Sequence, residues 1–339
     1  MSILVFLGLS LVVIVHEFGH FLMSKIFGVA VEEFGLGFPP RIWGKKIGKT
    51  FYSINWIFWG GFLKINGLRP ETERKGLPEE TSFIRQKFYK KALIISGGVI
   101  INFLLGWALL CLVMSIGIPQ SILVEDIQPN SLAYVSGIQK GDLILNFNNA
   151  DEFNKYLDEN KGKETSFTVK RDGTEKEINI VLPPERSKTG EYLGIYYSET
   201  GVQKTGFWQS TVKSLNLSLQ MTSFYFTSYL TLIIKIFTDW SFFQNLVGPV
   251  GLFAMGSTAS KAGLIYLLQL LATLSINLMV FNFFPFPILD GGWLLIILIE
   301  KIKGSSLSQK TEQIINGLAF LILFSAFFAI TIKDVINLF

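Results

Sequence analysis

The sequence predicts a multi-span α-helical membrane protein with four transmembrane helices, a β-segment after the first and one small α+β domain inserted between the second and third. Three observations carry this. Half of the 339 residues are hydrophobic and only 17% are charged, so the chain has too little polar surface for a soluble protein of its length. Four apolar stretches approach the ~20 residues that cross a bilayer. Between them lie segments whose apolar residues alternate with a period of two, as strands do.

The first stretch is Met1–Met23. No basic residue precedes its apolar run and no small-residue cleavage site follows, so it reads as a retained span rather than a secretory signal. The loop after it, Ser24–Lys91, holds 13 Lys/Arg against 6 Asp/Glu, whereas Gly117–Gly263 holds 13 against 15. The positive-inside rule puts the first loop in the cytoplasm. Topology accounts for those basic residues, so no nucleic-acid partner is expected. The N-terminus then starts outside, and Gly117–Gly263 is extracytoplasmic.

Within the first loop, Tyr52, Ile54, Trp56 and Phe58 alternate with polar Ser53 and Asn55. Thr50–Leu68 therefore reads as a strand, a break at Gly60-Gly61, and a second short strand. Pro70–Ser82 is polar and expected to be mobile. The second span is Ala92–Ile118, and it contains the single cysteine, Cys111, which excludes an intramolecular disulfide. Ser121–Tyr197 has the strand, helix and hairpin signals of one compact α+β domain, with a turn at Arg171-Asp172-Gly173. Thr205–Phe237 is helical but carries threonines, serines and Gln220, and is expected at the membrane interface. The third span is Leu264–Phe284 and the fourth Ile314–Ile332, with the lysines of Glu300–Lys310 between them on the cytoplasmic side. This divides the chain into membrane core (residues 1–118), extracytoplasmic domain (119–200), interfacial segment (201–263) and membrane core again (264–339).

The chemistry is concentrated in "HEFGH". His16 and His20 are four apart, so on a helix their rings share one face, which suits two nitrogens on one tetrahedral metal. Glu17 is placed to hold a metal-bound water, and the trio matches the HExxH pattern of zinc metalloproteases. These are the only two histidines in the chain, and polar side chains at membrane depth are costly and usually functional. A third ligand must come from elsewhere. The strong candidate is Asp290 in "NFFPFPILDGG", where prolines and glycines break the helix at the inner end of the third span. The first and third spans both run inward, which brings Asp290 to the depth of the histidines. A fifth span at Leu219–Phe237 would invert the third and move Asp290 ~30 Å away.

With these residues assembled, the chain resembles the site-2 protease family of intramembrane zinc metalloproteases, in the branch of the bacterial regulator-of-sigma-E protease. "HEFGH" and "NFFPFPILDGG" carry the resemblance most strongly; "FGLGF" (Phe34–Phe38), "GGVIIN" (Gly97–Asn102) and "GPVG" (Gly248–Gly251) add to it. The resemblance implies Zn2+ held by His16, His20 and Asp290, and Glu17 as catalytic base. It implies that Asn277 and Asn282 face the active site, with Asn282 holding substrate; on its residue type alone Asn282 is equally a helix-packing amide. Thr50–Leu68 resembles a membrane-associated β-loop whose edge strand receives substrate, which marks Asn55, Trp56 and Ile57 as substrate-binding candidates. Ser121–Tyr197 resembles a single PDZ domain, with "YLGI" (Tyr192–Ile195) as a loop for a peptide C-terminus. Val99 departs from the family, which often has proline there.

The function so implied is hydrolysis of a peptide bond inside the transmembrane segment of a single-pass protein, such as an anti-sigma factor or a remnant signal peptide, in the bacterial cytoplasmic (inner) membrane. Its partners are that substrate and the lipid bilayer. A metal-binding transporter would also place His and Asp in membrane helices but needs no glutamate beside the histidine. A catalytically silent scaffold carrying a PDZ domain leaves the polar membrane residues unexplained.

Overall fold

The computed structural model describes residues 2–68, 72, 77–171, 173–185, 192–235 and 246–336. Residues 70, 71 and 73–76 of the polar Pro70–Ser82 segment, Asp172 of the expected hairpin turn and Glu191 lie outside the described residues. The chain forms two compact units. The first comprises Met1–Leu110, Val212–Ser260 and Leu267–Phe339, and the second Cys111–Thr211 with Lys261–Tyr266.

The first unit begins with α1 (Ser2–Ile26). Its apolar run has no water to bond its backbone in a bilayer, so the helix, which satisfies every amide internally, is the stable choice. It stops where Gly28 adopts a φ of +75° and Val29 donates its amide to the Ser24 carbonyl. Next come β1 (Val31–Ile47) and β2 (Thr50–Ile65), which pair twice. Ile47 to Arg41 returns along Thr50–Asn55 as a hairpin, while Val31–Leu36 runs antiparallel to Gly61–Ile65 and also sits beside Phe51–Ile54, where partner numbers rise together. Val31–Leu36 is therefore flanked on both sides, and Gly61–Ile65 is an outer segment. β1 has no counterpart in the strand pattern expected from sequence. Its buried face is Val31, Glu33, Gly35 and Gly37, a period of two that hydrophobicity does not display.

α2 (Phe88–Ile116) follows, then the elements of the second unit, then α5 (Phe207–Lys235), α6 (Pro249–Ala262), α7 (Leu264–Phe283), α8 (Asp290–Lys303) and α9 (Gln309–Ile336). Among the described residues, four helices are long and apolar enough to cross a membrane: α1, α2, α7 and α9, at the four places the sequence indicated. α1 and α7 run in the same direction, because Val5 and Val12 share an apolar cluster with Leu267 and Leu271. α2 runs against both. Ser275 donates its hydroxyl to the Asn102 carbonyl, and a Cβ on Gly19 would lie 2.2 Å from the Gly97 carbonyl oxygen. Only glycine permits that α1–α2 approach.

α5 differs from the interfacial helix expected. Leu217, Met221, Tyr225 and Tyr229, four apart on one face, pack on a cluster from α2 and α7 that includes Val99, Ala272, Ile276 and Val280. The rings of Phe226 and Tyr229 also meet Phe284. α5 thus lies along the spans, not across their ends. α6 turns back beside α1, with Gly256 against Val5, so the chain enters α7 from the end at which α1 begins. The direction of α7 is preserved although α5 descends with it.

The second unit contains β3 (Ile118–Ile127), α3 (Leu132–Val135), β4 (Leu143–Ile144), α4 (Ala150–Glu159), β5 (Glu164–Arg171), β6 (Thr174–Val181) and β7 (Ile195–Val202). They form one five-stranded sheet ordered β6-β5-β4-β3-β7. Its core is aromatic and aliphatic, centred on fully buried Phe153, Phe167, Ile122 and Ile144. Buried Asp142 is held by both arms of Arg171, each nitrogen donating at 2.7 Å.

Candidate metal centre

Three elements of the first unit build the site: the second half of α1, the glycine-bearing turn of α2, and the broken junction between α7 and α8. His16 and His20 are one helical turn apart and both are buried. Gly98 makes room for them, since a Cβ there would lie 2.5 Å from both His16 Cε1 and His20 Nε2. His20 Nδ1 donates to the Ile94 carbonyl at 2.9 Å. That bond fixes the tautomer and leaves the lone pair of Nε2 pointing into the site.

Asp290 opens α8, after the turn Phe284–Leu289. Gly291 and Gly292 let this turn fold tightly, because a Cβ on either would fall 2.1 Å from a backbone oxygen, of Phe283 and Phe286 respectively. Ile288 holds a φ of +80°, a genuine outlier for a β-branched residue and a cost of ~1–3 kcal/mol. The strained residue sits two positions before the carboxylate, whose place it helps to fix.

Asp290 Oδ2 lies 3.1 Å from His16 Nε2 and 3.3 Å from His20 Nε2, and the two Nε2 atoms are 3.3 Å apart. Three ligand atoms at ~2.0–2.1 Å from a tetrahedral zinc would be separated by about 3.3 Å, so the triangle has the dimensions of a zinc face. Oδ2 is buried and accepts no hydrogen bond. With His20 protonated on Nδ1, its lone pair faces that carboxylate, an arrangement that is repulsive without a cation between them. The residues present fit a zinc ion. Among the described residues these three form the one such cluster of ligand side chains.

A cavity of roughly 360 Å³ opens beside the triangle. Glu17 and Asn282 line it together with His16, His20 and Asp290, and so do Leu63, Ile65, Leu68, Ile95, Ile288 and Trp293. Asn277 lies elsewhere: it lines a second cavity of roughly 650 Å³ that shares Val13 and Leu278 with the first. Asn55, Trp56 and Ile57 are not among the lining residues. The amide of Asn55 is turned inward to the carbonyls of Leu36 and Gly37, and Trp56 and Ile57 are exposed on the other part of the sheet. The strand that meets the cavity is the outer one, Gly61–Ile65. A signal for it existed in the sequence, since Leu63 and Ile65 form the short alternating arm after Gly60-Gly61.

Asn102 is a further residue that the sequence reading did not single out for a role. Its amide lies 3.4 Å from His16 Nδ1, and its Oδ1 is buried without a partner. Exchanging the amide nitrogen and oxygen lets His16 Nδ1–H donate to Oδ1 and leaves Nε2 free as a ligand. The "GGVIIN" stretch thus supplies room for both rings and, in Asn102, a partner for His16, while Ile94 just before it is the partner of His20.

A family model described as peptidase family M50 matches residues 4–326. A Clostridium perfringens protein that bears a zinc-metalloprotease name is 31% identical over 337 residues, covering 97% of each chain. The regulator of sigma-W protease RasP of Bacillus subtilis is 25% identical over 410 residues, covering 96% of this chain and 95% of the relative. A chloroplastic membrane metalloprotease of Arabidopsis thaliana is 27% identical, covering 97% of this chain and 77% of the relative.

Proposed function

The chain belongs to peptidase family M50 and is a zinc metalloprotease; from that premise we propose that it hydrolyses a peptide bond within the transmembrane segment of a single-pass membrane protein. The observation that carries this reading is the triangle of buried His16 and His20, on a helix of spanning length, with the half-buried Asp290, and Glu17 lining the adjoining cavity. Polar groups are costly at such a depth, and catalysis on a peptide bond found there explains the expense.

Zinc bound by His16, His20 and Asp290 would lower the pKa of a water toward ~7 and polarise the scissile carbonyl. Glu17 takes a proton from the attacking water and returns it to the leaving nitrogen. Asn282 faces the same cavity and donates to the substrate backbone or the developing oxyanion. A helical substrate keeps its amides in its own hydrogen bonds and must unwind first. The outer strand Gly61–Ile65 supplies replacement partners by strand addition, with Leu63 and Ile65 beside the metal. Gly60 and Gly61 bring this strand close to α1, against Val13 and Ile14.

The second unit reads as the single PDZ-like domain of the regulator-of-sigma-E protease branch. Its last strand, β7, is at the edge of the sheet and follows Tyr192–Gly194, where a peptide C-terminus would dock. In this reading the unit and the N-terminus are extracytoplasmic and the protein resides in the bacterial inner membrane. The sigma-regulating name of the Bacillus relative supports an anti-sigma factor as substrate class.

The test is cleavage of a single-pass substrate in zinc-containing vesicles by wild type and Glu17→Gln. Wild type is expected to cleave and the variant to lose at least about 100-fold, the lower end of a general base's contribution. Cleavage at the wild-type rate by the variant overturns the mechanism.

A further inference from the structure

The larger cavity poses a question that the zinc chemistry does not answer. Its lining is apolar and aromatic, with Leu9, Val12, Phe38, Trp59 and Phe281 among its walls, yet it holds one amide, Asn277, and one phenol, Tyr229. The Tyr229 hydroxyl donates to Asn277 Oδ1. Its ring is fixed from the side by Phe281, with centroids 5.7 Å apart, and by Phe284 at 6.4 Å. Because the phenol occupies the amide oxygen, the two N–H groups of Asn277 are the ones left to face the cavity.

The cavity adjoins the one beside the metal triangle, and Val13 and Leu278 stand in the walls of both. Asn277 precedes Asn282 by five positions on α7, about 7.5 Å along the helix axis. An extended peptide covers that distance in roughly two residues at ~3.3 Å each. A substrate strand with its scissile bond beside the metal that extends past Val13 and Leu278 would bring a backbone carbonyl to Asn277, among apolar and aromatic walls that offer few other donors.

We infer that Tyr229, on α5, is a positioning residue: it locks the Asn277 amide with its N–H groups toward the substrate, and Asn277 holds a substrate carbonyl about two residues from the cleavage point. This rests on the protease reading above. α5 thereby joins the active site although it contributes no group to the metal or to the reacting atoms. Without the phenol, the amide is free to turn its oxygen toward the substrate carbonyl, which repels it.

The experiment uses the full-length protein in vesicles with a transmembrane peptide substrate. Tyr229→Phe keeps the ring and removes the donor; it is expected to raise KM about three- to tenfold, with kcat within about twofold of wild type and zinc content unchanged. Asn277→Ala is expected to raise KM at least as much, and the double variant to match Asn277→Ala alone. An unchanged KM in Tyr229→Phe, additive losses in the double variant, or a loss confined to kcat overturns the assignment. Glu17→Gln is run alongside: if it still cleaves, the protease reading itself fails, whereas an inactive Glu17→Gln with an additive cycle removes only the role of Tyr229.

Discussion

Two aspartates of the first unit stand at opposite extremes of satisfaction. Asp334, near the end of α9, is buried, and its Oδ2 accepts the amide of Gly251 in the first turn of α6 at 2.8 Å. Lys333 lies 3.5 Å from its other oxygen. Gly248 and Gly251 of "GPVG" are glycines because a Cβ on them would sit 2.8 and 3.0 Å from the Asp334 carboxylate. That corner is closed: a carboxylate capping a helix N-terminus, with donors in place. Asp290 also stands at a helix start, but its Oδ2 is aimed at two imidazole nitrogens and accepts nothing. Residue type is shared, and both side chains are largely covered, at 15% exposed for Asp290 and 6% for Asp334. The difference is whether the protein supplies the partner or leaves the place for an ion.

The comparison is most sharply tested by neutralising the open corner. Asp290→Asn removes a ligand, and zinc affinity is expected to fall more than about 100-fold, since even changes to groups behind the ligands cost ~10–100-fold. Cleavage should vanish with it. The metal-free protein should melt no lower than metal-free wild type, because the variant relieves the repulsion between carboxylate and imidazole lone pair. Zinc titration followed by melting reads both effects; a variant that is much less stable without metal would show that Asp290 is structural after all.

The closed corner should respond in the opposite sense. Asp334→Ala leaves the amide of Gly251 and the ammonium of Lys333 without their carboxylate, and a loss of about 1–3 kcal/mol in stability is expected. Zinc content should be unchanged, because no ligand is touched. Melting and metal analysis on the same sample separate the two aspartates. Loss of zinc from Asp334→Ala with wild-type stability would erase the distinction drawn between them.

What the sequence made legible follows the same division. The meeting of His16, His20 and Asp290 was readable because their chemistry is scarce: two histidines in the chain, one turn apart, and an aspartate at a helix break. The spans were readable from hydrocarbon alone. β1 was not, since its inward face is built from Glu33 and glycines, and a strand whose core side is polar or bare shows no hydrophobic alternation. α5 misled through its hydroxyls. Ser218, Thr222, Ser228 and Thr231 each donate to the carbonyl four residues back, so their polarity is absorbed by the helix itself and does not hold it at the interface. Asn55, Trp56 and Ile57 fall on the arm that does not line the cavity, because Tyr52–Phe58 alternates more strongly than Gly61–Ile65, which does.

Glu33 supplies the smallest test, a third carboxylate that resembles Asp334 rather than Asp290. Burial acts on it most strongly and pushes its pKa up, but hydrogen bonds from Lys64, Ser53 and Arg41, with the Lys64 charge, outweigh burial and hold it below the usual glutamate range. A folded-state pKa below the unfolded one stabilises the fold above the unfolded value, ~4.3, and that contribution is lost as pH falls through the folded value. The melting difference between wild type and Glu33→Gln should therefore be constant from pH 7 to about pH 5 and shrink below it. Arg41 and Lys64 are about half exposed, so solvent screens the pair and the difference should be no more than a few °C. A difference that grows on acidification would mean that Glu33, like Asp290, is a carboxylate the fold leaves unmet.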